Sequence, residues 1–142
     1  QIKQKGIYGK FMRLSTKPTI LLDAAHNQPG FQALAKEITR LSFNKCFIVF
    51  GSVKGKDVSG FLKLLPQDAE YYFCQPSVPR GLPVDELVTD ASSLGLKYKD
   101  FNEPEMAYNQ AIEDMTASDL LLVTGSTFVL ADILAIPEIK LM

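Results

Sequence analysis

Short, mainly apolar segments alternate along the chain with longer segments in which apolar residues recur every three or four positions. The short segments are too brief and too apolar for surface helices, and they are typical of strands buried on both faces of a parallel sheet. Residues 96–101 instead alternate apolar with polar side chains, which predicts an edge strand or a half-buried strand. The predicted buried strands are residues 19–22, 46–50, 70–74 and 120–124.

The longer segments have the 3.6-residue period of amphipathic helices. In the first of them, Phe31, Leu34, Ile38 and Leu41 fall on one face of a helix. The other segments are bounded by residues that favour helix ends. Short polar side chains cap the first turn of a helix, proline is favoured within that first turn, and glycine is favoured just after the last turn. These boundary residues are Asp57 before 58–65, Pro83 and Gly95 around 84–94, Pro104 before the next helix, and Ser126 before 127–134.

The repeated order of strand and helix predicts one α/β domain over residues 1–142, a doubly wound, Rossmann-like fold of three layers. Helical connections join successive strands, so we expect a mainly parallel sheet of about six strands. The stretch 9–14, followed by turn residues at 15–18, predicts one more strand that runs antiparallel to the rest. No internal repeat or interdomain linker interrupts this pattern.

The composition excludes several classes of protein. Hydrophobic residues make up 46% and charged residues 22% of the chain, which indicates a folded domain and not a disordered one. Fifteen Lys and Arg against sixteen Asp and Glu leave a net charge of −1, so we expect no broad basic surface for nucleic acid. No apolar run approaches the roughly 20 residues of a membrane span, and we therefore expect no membrane partner and a cytoplasmic protein.

Cysteine, histidine and the first residue add three further expectations. Cys46 and Cys74 lie inside apolar runs without a CxxC partner, which favours buried reduced thiols. His26 is the sole histidine, so a multi-histidine metal centre is excluded and we predict no metal site in this chain. The chain begins with Gln1 and not with methionine, which suggests a piece of a longer protein.

Most residues suited to chemistry stand directly after the predicted strands. In open α/β sheets, ligands bind beyond the carboxyl ends of the strands, where these loops meet. The loops between the opposite ends of the strands hold few such residues. The sequence therefore predicts a binding rim made of Asp23, His26 and Asn27 in one loop, Lys56 and Asp57 in the next, Ser77 and Arg80 in the third, and Ser126 in the last.

Spacing alone supports a binding rim and not a particular reaction. Asn27, Asp57 and Ser126 are equally suited to capping helices, while His26 and Arg80 could be ordinary surface residues. The glycine-rich stretch 51–57 is not a P-loop, because its glycines lie too close to the lysine and Asp57 replaces the Ser or Thr that would bind magnesium. No second histidine is present to activate a serine nucleophile.

Four motifs in a fixed order carry a family resemblance. Residues 23–27, Asp-Ala-Ala-His-Asn, resemble an Asp-x-Ala-His-Asn motif, and residues 49–57 resemble a strand followed by a glycine and an Asp-Lys-Asp loop. Residues 72–83 are similar to a loop rich in Arg and Pro, and residues 123–129 to a Gly-Ser helix start. Together they resemble the carboxy-terminal domain of Mur-type amide ligases, in the folylpolyglutamate synthase/dihydrofolate synthase branch, over roughly residues 6–134.

This resemblance implies a ligase that uses ATP and Mg²⁺ to join L-glutamate to the carboxylate of a folate or dihydropteroate through an acyl phosphate. The family's amino-terminal ATPase domain supplies the P-loop and the magnesium ligands, and it is expected as a partner in the same polypeptide. The carboxy-terminal domain closes over the nucleotide and helps to hold the amino acid. A chain that resembles only this domain is expected to be inactive alone.

The resemblance also implies roles on the nucleotide side of the cleft. His26 matches the family's catalytic histidine, which is expected near the γ-phosphate and the incoming glutamate. Asp23 matches the nucleotide-contacting Asp, with Asn27 beside it in the same motif. Lys10 stands where the family has a nucleotide-contacting Arg, and Arg13 is the alternative counterpart after a local shift.

Other matches fall on the glutamate or phosphate side. Lys56 and Asp57 match the last two residues of the Asp-Lys-Asp loop, whereas Gly55 replaces its first Asp. Ser77, Arg80 and Ser126 are candidates for the same side of the cleft. Two other functions stay open on the residues alone. One is a stand-alone doubly wound module that binds a nucleotide or another anion, and the other is an interaction domain whose polar rim only caps helices.

Overall fold

Six strands and five helices follow one another in residues 12–137, the part of the chain that the computed structural model describes. The strands are β1 (Met12–Thr16), β2 (Thr19–Asp23), β3 (Cys46–Phe50), β4 (Glu70–Phe73), β5 (Lys97–Asp100) and β6 (Leu120–Thr124). The helices are α1 (Gln28–Ile38), α2 (Val58–Leu64), α3 (Val84–Leu94), α4 (Pro104–Asp114) and α5 (Thr127–Leu134). Among these described residues, no helix is long and apolar enough to cross a membrane.

The strands form one sheet in the order β1-β2-β6-β3-β4-β5. β1 pairs with β2 antiparallel and all other neighbours pair parallel, which confirms the predicted α/β fold with one antiparallel strand. The opening strand reaches Thr16, two residues into the predicted turn, because Ser15 and Thr16 still pair with β2. Residues 9–11 of that predicted strand lie outside the described part of the chain. β6, the last strand in sequence, lies between β2 and β3.

Alternating side chains of the strands build two hydrophobic layers, one on each face of the sheet. Leu21 belongs to the layer covered by α1, α2 and α3, whereas its neighbour Leu22 belongs to the layer covered by α4 and α5. Both leucines are fully buried. Burial of each such side chain stabilises the fold by about 1.5 to 3 kcal/mol. The described helices thus cover both faces of the sheet.

The strand β5 lies at the edge of the sheet, which confirms one of the two predicted alternatives. All four of its residues are exposed, so it is the edge strand and not the half-buried one. The apolar residue Leu96 is buried just before the strand begins. Apolar burial therefore ends where pairing with β4 begins.

The two cysteines are free and buried, as predicted. Cys46 begins β3 and Cys74 follows β4, each inside one of the hydrophobic layers. Burial raises the pKa of the Cys46 thiol to about 12, with a smaller contribution from Asp68. Both thiols therefore act as small apolar core residues and not as nucleophiles.

A polar network fastens α4 to the outer half of the sheet. The hydroxyl of Tyr72 donates to Oδ2 of Asp114 at 2.6 Å, and Nζ of Lys99 donates to the same oxygen at 2.9 Å. Nε2 of Gln110 donates to the other carboxylate oxygen at 3.0 Å. Donation from Tyr72 and Lys99 holds the pKa of Asp114 below its usual range. The ionised carboxylate thus links β4, β5 and α4.

Replacing Asp114 with Asn removes this ionised acceptor. The carboxylate is partly solvated, so we expect a loss of about 1 kcal/mol in the free energy of unfolding at pH 7. A lowered pKa in the folded state stabilises above the unfolded pKa, and this stabilisation disappears as the pH falls through the lowered folded value. The difference from wild type in urea denaturation should therefore shrink below about pH 4.

The neighbouring substitution Glu113→Gln is the control, because no hydrogen bond or salt bridge of the Glu113 side chain is found in the described part of the chain. It should leave the free energy of unfolding within about 0.5 kcal/mol of wild type. A deficit of Asp114→Asn that stays constant down to pH 2.5 would contradict the role of the ionised carboxylate.

Candidate functional site

The direction of sheet winding reverses on both sides of β6. The helices that follow β2 and β3 pack on one face, and the helix that follows β6 packs on the other. The chain therefore leaves adjacent strands toward opposite faces, and this arrangement opens a crevice at their carboxyl ends. His26 follows β2, Lys56 follows β3 and Ser126 follows β6.

A pocket of about 200 Å³ lies at this crevice. It brings together four of the predicted rim residues, each from a different loop. Two of these side chains are permanently charged cations at neutral pH and none is acidic. The lining residues are His26, Lys56, Arg80 and Ser126, with Val53, Gly125, Thr127 and Phe128.

A short ladder of backbone hydrogen bonds joins the loop after β3 to the loop after β4. The amide of Lys54 donates to the carbonyl oxygen of Arg80 at 2.8 Å, and the amide of Leu82 donates to the carbonyl oxygen of Ser52 at 2.8 Å. Val53 and Gly81 form the antiparallel bridge between them. This ladder holds Lys56 and Arg80 at the same pocket although they follow different strands.

The strand ends approach one another through two glycines. Gly125 has φ +110°, and a Cβ atom there would overlap the carbonyl oxygen of Gly51. A Cβ atom on Gly51 would lie 2.7 Å from the carbonyl oxygen of Cys74. Only glycine permits this approach, and it brings the first turn of α5 against the loop after β3.

The pocket is electrostatically suited to an anion. Neither Lys56 nor Arg80 takes part in a salt bridge within residues 12–137. Ser126 caps α5, its Oγ accepting from the amide of Phe128 at 3.0 Å, and the positive end of the helix dipole adds to the field. A guanidinium and an ammonium beside this helix end favour phosphate or carboxylate groups.

His26 is exposed at the pocket. Its Nδ1 lies 3.3 Å from the carbonyl oxygen of Ala24. A proton on Nδ1 would donate to this oxygen and leave Nε2 as an acceptor, whereas the imidazolium would donate from both nitrogens. His26 can thus act as a donor or as a proton acceptor toward a bound ligand.

Four other predicted site residues do not line the pocket. Asn27 and Asp57 cap α1 and α2, with their Oδ1 atoms accepting from the amides of Gly30 at 2.9 Å and Gly60 at 3.1 Å. Asp23 is buried at the end of β2, and its Oδ1 accepts from the amide of Ala25 at 2.9 Å. Ser77 donates twice to Asp132 of α5.

The structure describes one of the two candidates for the family's nucleotide-contacting Arg, namely Arg13. Lys10 lies outside the described residues, and Arg13 is exposed on the edge strand β1. A metal site is not formed among residues 12–137, because no three His, Cys, Asp or Glu side chains group there as a metal ion requires. The described part of the chain therefore offers cations and amides, not carboxylate ligands, at its pocket.

Three residues that line the pocket, Val53, Thr127 and Phe128, are not among the site residues predicted from the sequence. Phe128 is one of the few large apolar side chains that stay exposed, at 37%. Its signal was present in the helical period of α5, because Val129, Leu130 and Ile133 form the buried face and Phe128 falls outside it. Val53 gave no such signal, since its position depends on the pairing of two loops.

Comparisons with known proteins agree on one family. The family model described as "Mur ligase, glutamate ligase domain" matches residues 10–127. The chain is 30% identical to a "probable bifunctional folylpolyglutamate synthase/dihydropteroate synthase" of Halobacterium salinarum, covering 87% of this chain and 15% of that protein. It is 28% identical to the dihydrofolate synthase/folylpolyglutamate synthase of Escherichia coli, covering 93% of this chain and 31% of that protein.

A solved structure shares the architecture. It is a bifunctional folylpolyglutamate synthase/dihydrofolate synthase with Mn, AMPPNP and L-glutamate bound. It superposes with a TM-score of 0.83 at 27% identity, covering 93% of this chain and 32% of that one. The chain thus spans a third or less of the length of the proteins to which it is similar.

The glycine contact at the pocket gives a direct test of its geometry. Gly125→Ala forces a Cβ atom onto the backbone of Gly51 at a positive φ, and we expect a loss of about 2 to 4 kcal/mol in the free energy of unfolding. Gly55→Ala is the matched control, since Gly55 also has a positive φ of 88° but has open space around a Cβ atom. It should cost about 1 kcal/mol. Equal losses in urea denaturation would contradict the close backbone approach.

Proposed function

The chain belongs to the Mur ligase, glutamate ligase domain family, and from this premise we propose that it is the carboxy-terminal part of an ATP-dependent amide ligase. The proposed reaction joins L-glutamate to the carboxylate of a folate or dihydropteroate. ATP phosphorylates that carboxylate, and the amine of glutamate then displaces phosphate from the acyl phosphate. ATP and folates as substrates favour a cytoplasmic enzyme.

The observation that carries this proposal is the convergence of His26, Lys56 and Arg80 on one pocket without acidic residues. Every reactant in the proposed step is negatively charged, since ATP, the acyl phosphate and the two carboxylates of glutamate are all anions. A pocket of cations and amides at the end of a helix lowers the energy of such groups where they meet.

Each lining residue has a role that matches its chemistry. Arg80 has a planar guanidinium that can donate two parallel hydrogen bonds to a carboxylate of glutamate. Lys56 supplies a mobile point charge for a phosphate or the second carboxylate. His26 donates to the transferring phosphoryl group or to the acyl phosphate, where negative charge develops during the reaction. Ser126 and the first amides of α5 complete this side of the pocket.

The nucleotide side is assigned to the loop after β2 and the edge strand. Asp23 is proposed to accept from the ribose hydroxyls of ATP, since a carboxylate has lone pairs for several donors. Asn27 lies beside it in the same loop and is proposed as a further contact of the nucleotide. Lys10 or Arg13 is proposed to neutralise a phosphate of the nucleotide.

The rest of the reaction requires a partner domain. The pocket has no carboxylates suited to Mg²⁺, so the metal is proposed to be held by an amino-terminal ATPase domain of the same polypeptide. The P-loop is assigned to that domain as well. This chain would close over ATP and help to bind glutamate, and it would have no ligase activity alone.

A stand-alone module for a nucleotide or another small anion is the second candidate. It is favoured by the two cations at the pocket, Lys56 and Arg80, which suit a bound anion whatever reaction follows. The two functions are separated by assaying the intact protein that contains the chain for ATP-dependent addition of labelled L-glutamate to tetrahydrofolate and to dihydropteroate. Glutamate addition to either acceptor supports the ligase, and binding of ADP without any addition supports the module.

Removing the imidazole gives the sharpest prediction for the ligase. His26→Ala in the intact protein should lower the rate of glutamate addition by roughly 10²-fold, as expected for the loss of one charge-stabilising donor. The same substitution should leave the melting temperature of the chain unchanged, because His26 is exposed. Gln28→Ala is the control, since Gln28 is also exposed nearby and does not line the pocket. Wild-type activity in His26→Ala would remove His26 from the mechanism.

A further inference from the structure

We propose that Asp132 is a positioning residue that holds Arg80 at the pocket by fastening Ser77 to α5. The identity of the ligand that Arg80 binds rests on the proposed function, whereas the positioning itself does not. Neither Asp132 nor the backbone ladder enters the family resemblance described above. The loop between β4 and α3, residues 74–83, is hydrogen-bonded to α5 on one side and to β3 and the loop after it on the other.

The first observation is a two-fold hydrogen bond between Ser77 and Asp132. The amide of Ser77 donates to Oδ2 of Asp132 at 2.9 Å, and its hydroxyl donates to Oδ1 at 2.7 Å. The two residues are 55 positions apart in sequence. Both carboxylate oxygens are engaged by one residue, and hydrogen bonds to an ionised acceptor are stronger than neutral ones. Within residues 12–137, no salt bridge involves Asp132.

The second observation is where this contact lies relative to the pocket. Ser77 precedes Arg80 by three residues in the same loop, and Asp132 follows Ser126 by six residues in α5. Six residues correspond to about 9 Å along a helix. The first turn of α5 lines one wall of the pocket and Arg80 lines another. The contact therefore fixes the spacing between these two walls.

The third observation is how the rest of the loop is attached. The amide of Cys74, at the start of the loop, donates to the carbonyl oxygen of Phe50 at 3.0 Å. The ladder to the loop after β3 holds Arg80 and Leu82 by their backbones. The turns within the loop are local, with the amide of Val78 bonded to Pro76 and that of Gly81 to Val78. In the described part of the chain, Ser77 is thus the only residue between Cys74 and Arg80 that hydrogen-bonds to another element. Loss of this contact would widen the range of positions open to the backbone that carries Arg80.

The contact contributes little to the core. Ser77 is exposed and Asp132 is only partly buried, and neither belongs to the hydrophobic layers. Its loss should therefore change the placement of Arg80 more than the global stability of the fold. The two roles can therefore be told apart by measurement. Loss of a merely structural contact would lower the stability of the fold, and the folded molecules would still bind the ligand with unchanged affinity.

Hydrogen exchange tests the attachment directly. Asp132→Ala should accelerate exchange of the Lys54 and Leu82 amides about tenfold, since the loop loses a charge-assisted anchor, while amides of β3 and β6 stay protected. Ser77→Val should act in the same direction with a smaller effect, because its backbone amide can still donate. Ser77→Thr keeps both donors and should match wild type. Glu113→Ala, which removes an exposed helical carboxylate elsewhere, is the control.

Steady-state kinetics of the intact protein tests the consequence for Arg80. Asp132→Ala should raise KM for L-glutamate about tenfold with kcat changed less than about threefold, as loss of positioning without loss of the chemical groups predicts. Ser77→Thr should again match wild type where Ser77→Val does not.

The outcomes separate this inference from the function on which the ligand depends. Unchanged amide exchange in both Asp132→Ala and Ser77→Val overturns the positioning role, whatever the kinetics. Faster exchange with an unchanged KM also overturns it if Arg80→Ala itself raises KM. If Arg80→Ala leaves KM unchanged, the assignment of Arg80 to glutamate fails, and faster exchange still supports the attachment of the loop.

Discussion

The pocket depends on the contact between Gly125 and Gly51, where the chain leaves the central strand of the sheet. At this point the backbone after β6 passes against the backbone after β3 with no room for a side chain. The positive φ of Gly125 turns the chain at once into α5. As a result, the first turn of α5 meets the loops after β2, β3 and β4 at one place. A larger residue at either glycine would push these loops apart, and the residues that line the pocket would then no longer meet.

The two hydrophobic layers hold β6 in place, and this placement brings Gly125 against Gly51. The side chains of β6 alternate between the layer under α1, α2 and α3 and the layer under α4 and α5, and all five of its residues are buried. The register of β6 between β2 and β3 is thereby fixed, since a shift by one residue would exchange the two faces. A fixed register in turn fixes where Asp23, Phe50 and Thr124 end their strands side by side. The packing of the core therefore determines where the loops of the binding rim begin.

The sequence sufficed for the parts of the structure that local patterns govern. Apolar runs located the strands, and Asn27, Asp57 and Ser126 marked three helix starts that their side chains do cap. The strand ends also indicated that His26, Lys56, Arg80 and Ser126 would meet, because loops at one edge of a parallel sheet are neighbours. The ladder through Val53 and the contact of Ser77 with Asp132 had no such signal. They join segments far apart in sequence through backbone groups or a single carboxylate, and such contacts leave no pattern of apolar residues or motif spacing in the sequence.

The placement of β6 has a consequence for the order in which the fold can be assembled. β2 and β3 are synthesised long before β6, and they belong to one sheet only after β6 has paired with both of them. Until then each presents an open, apolar edge of the kind that pairs with other chains. The centre of the sheet is thus the last part to form as the chain is made, and until then β2 and β3 each have one edge without a partner strand. Any truncation within α4 would leave those edges permanently open.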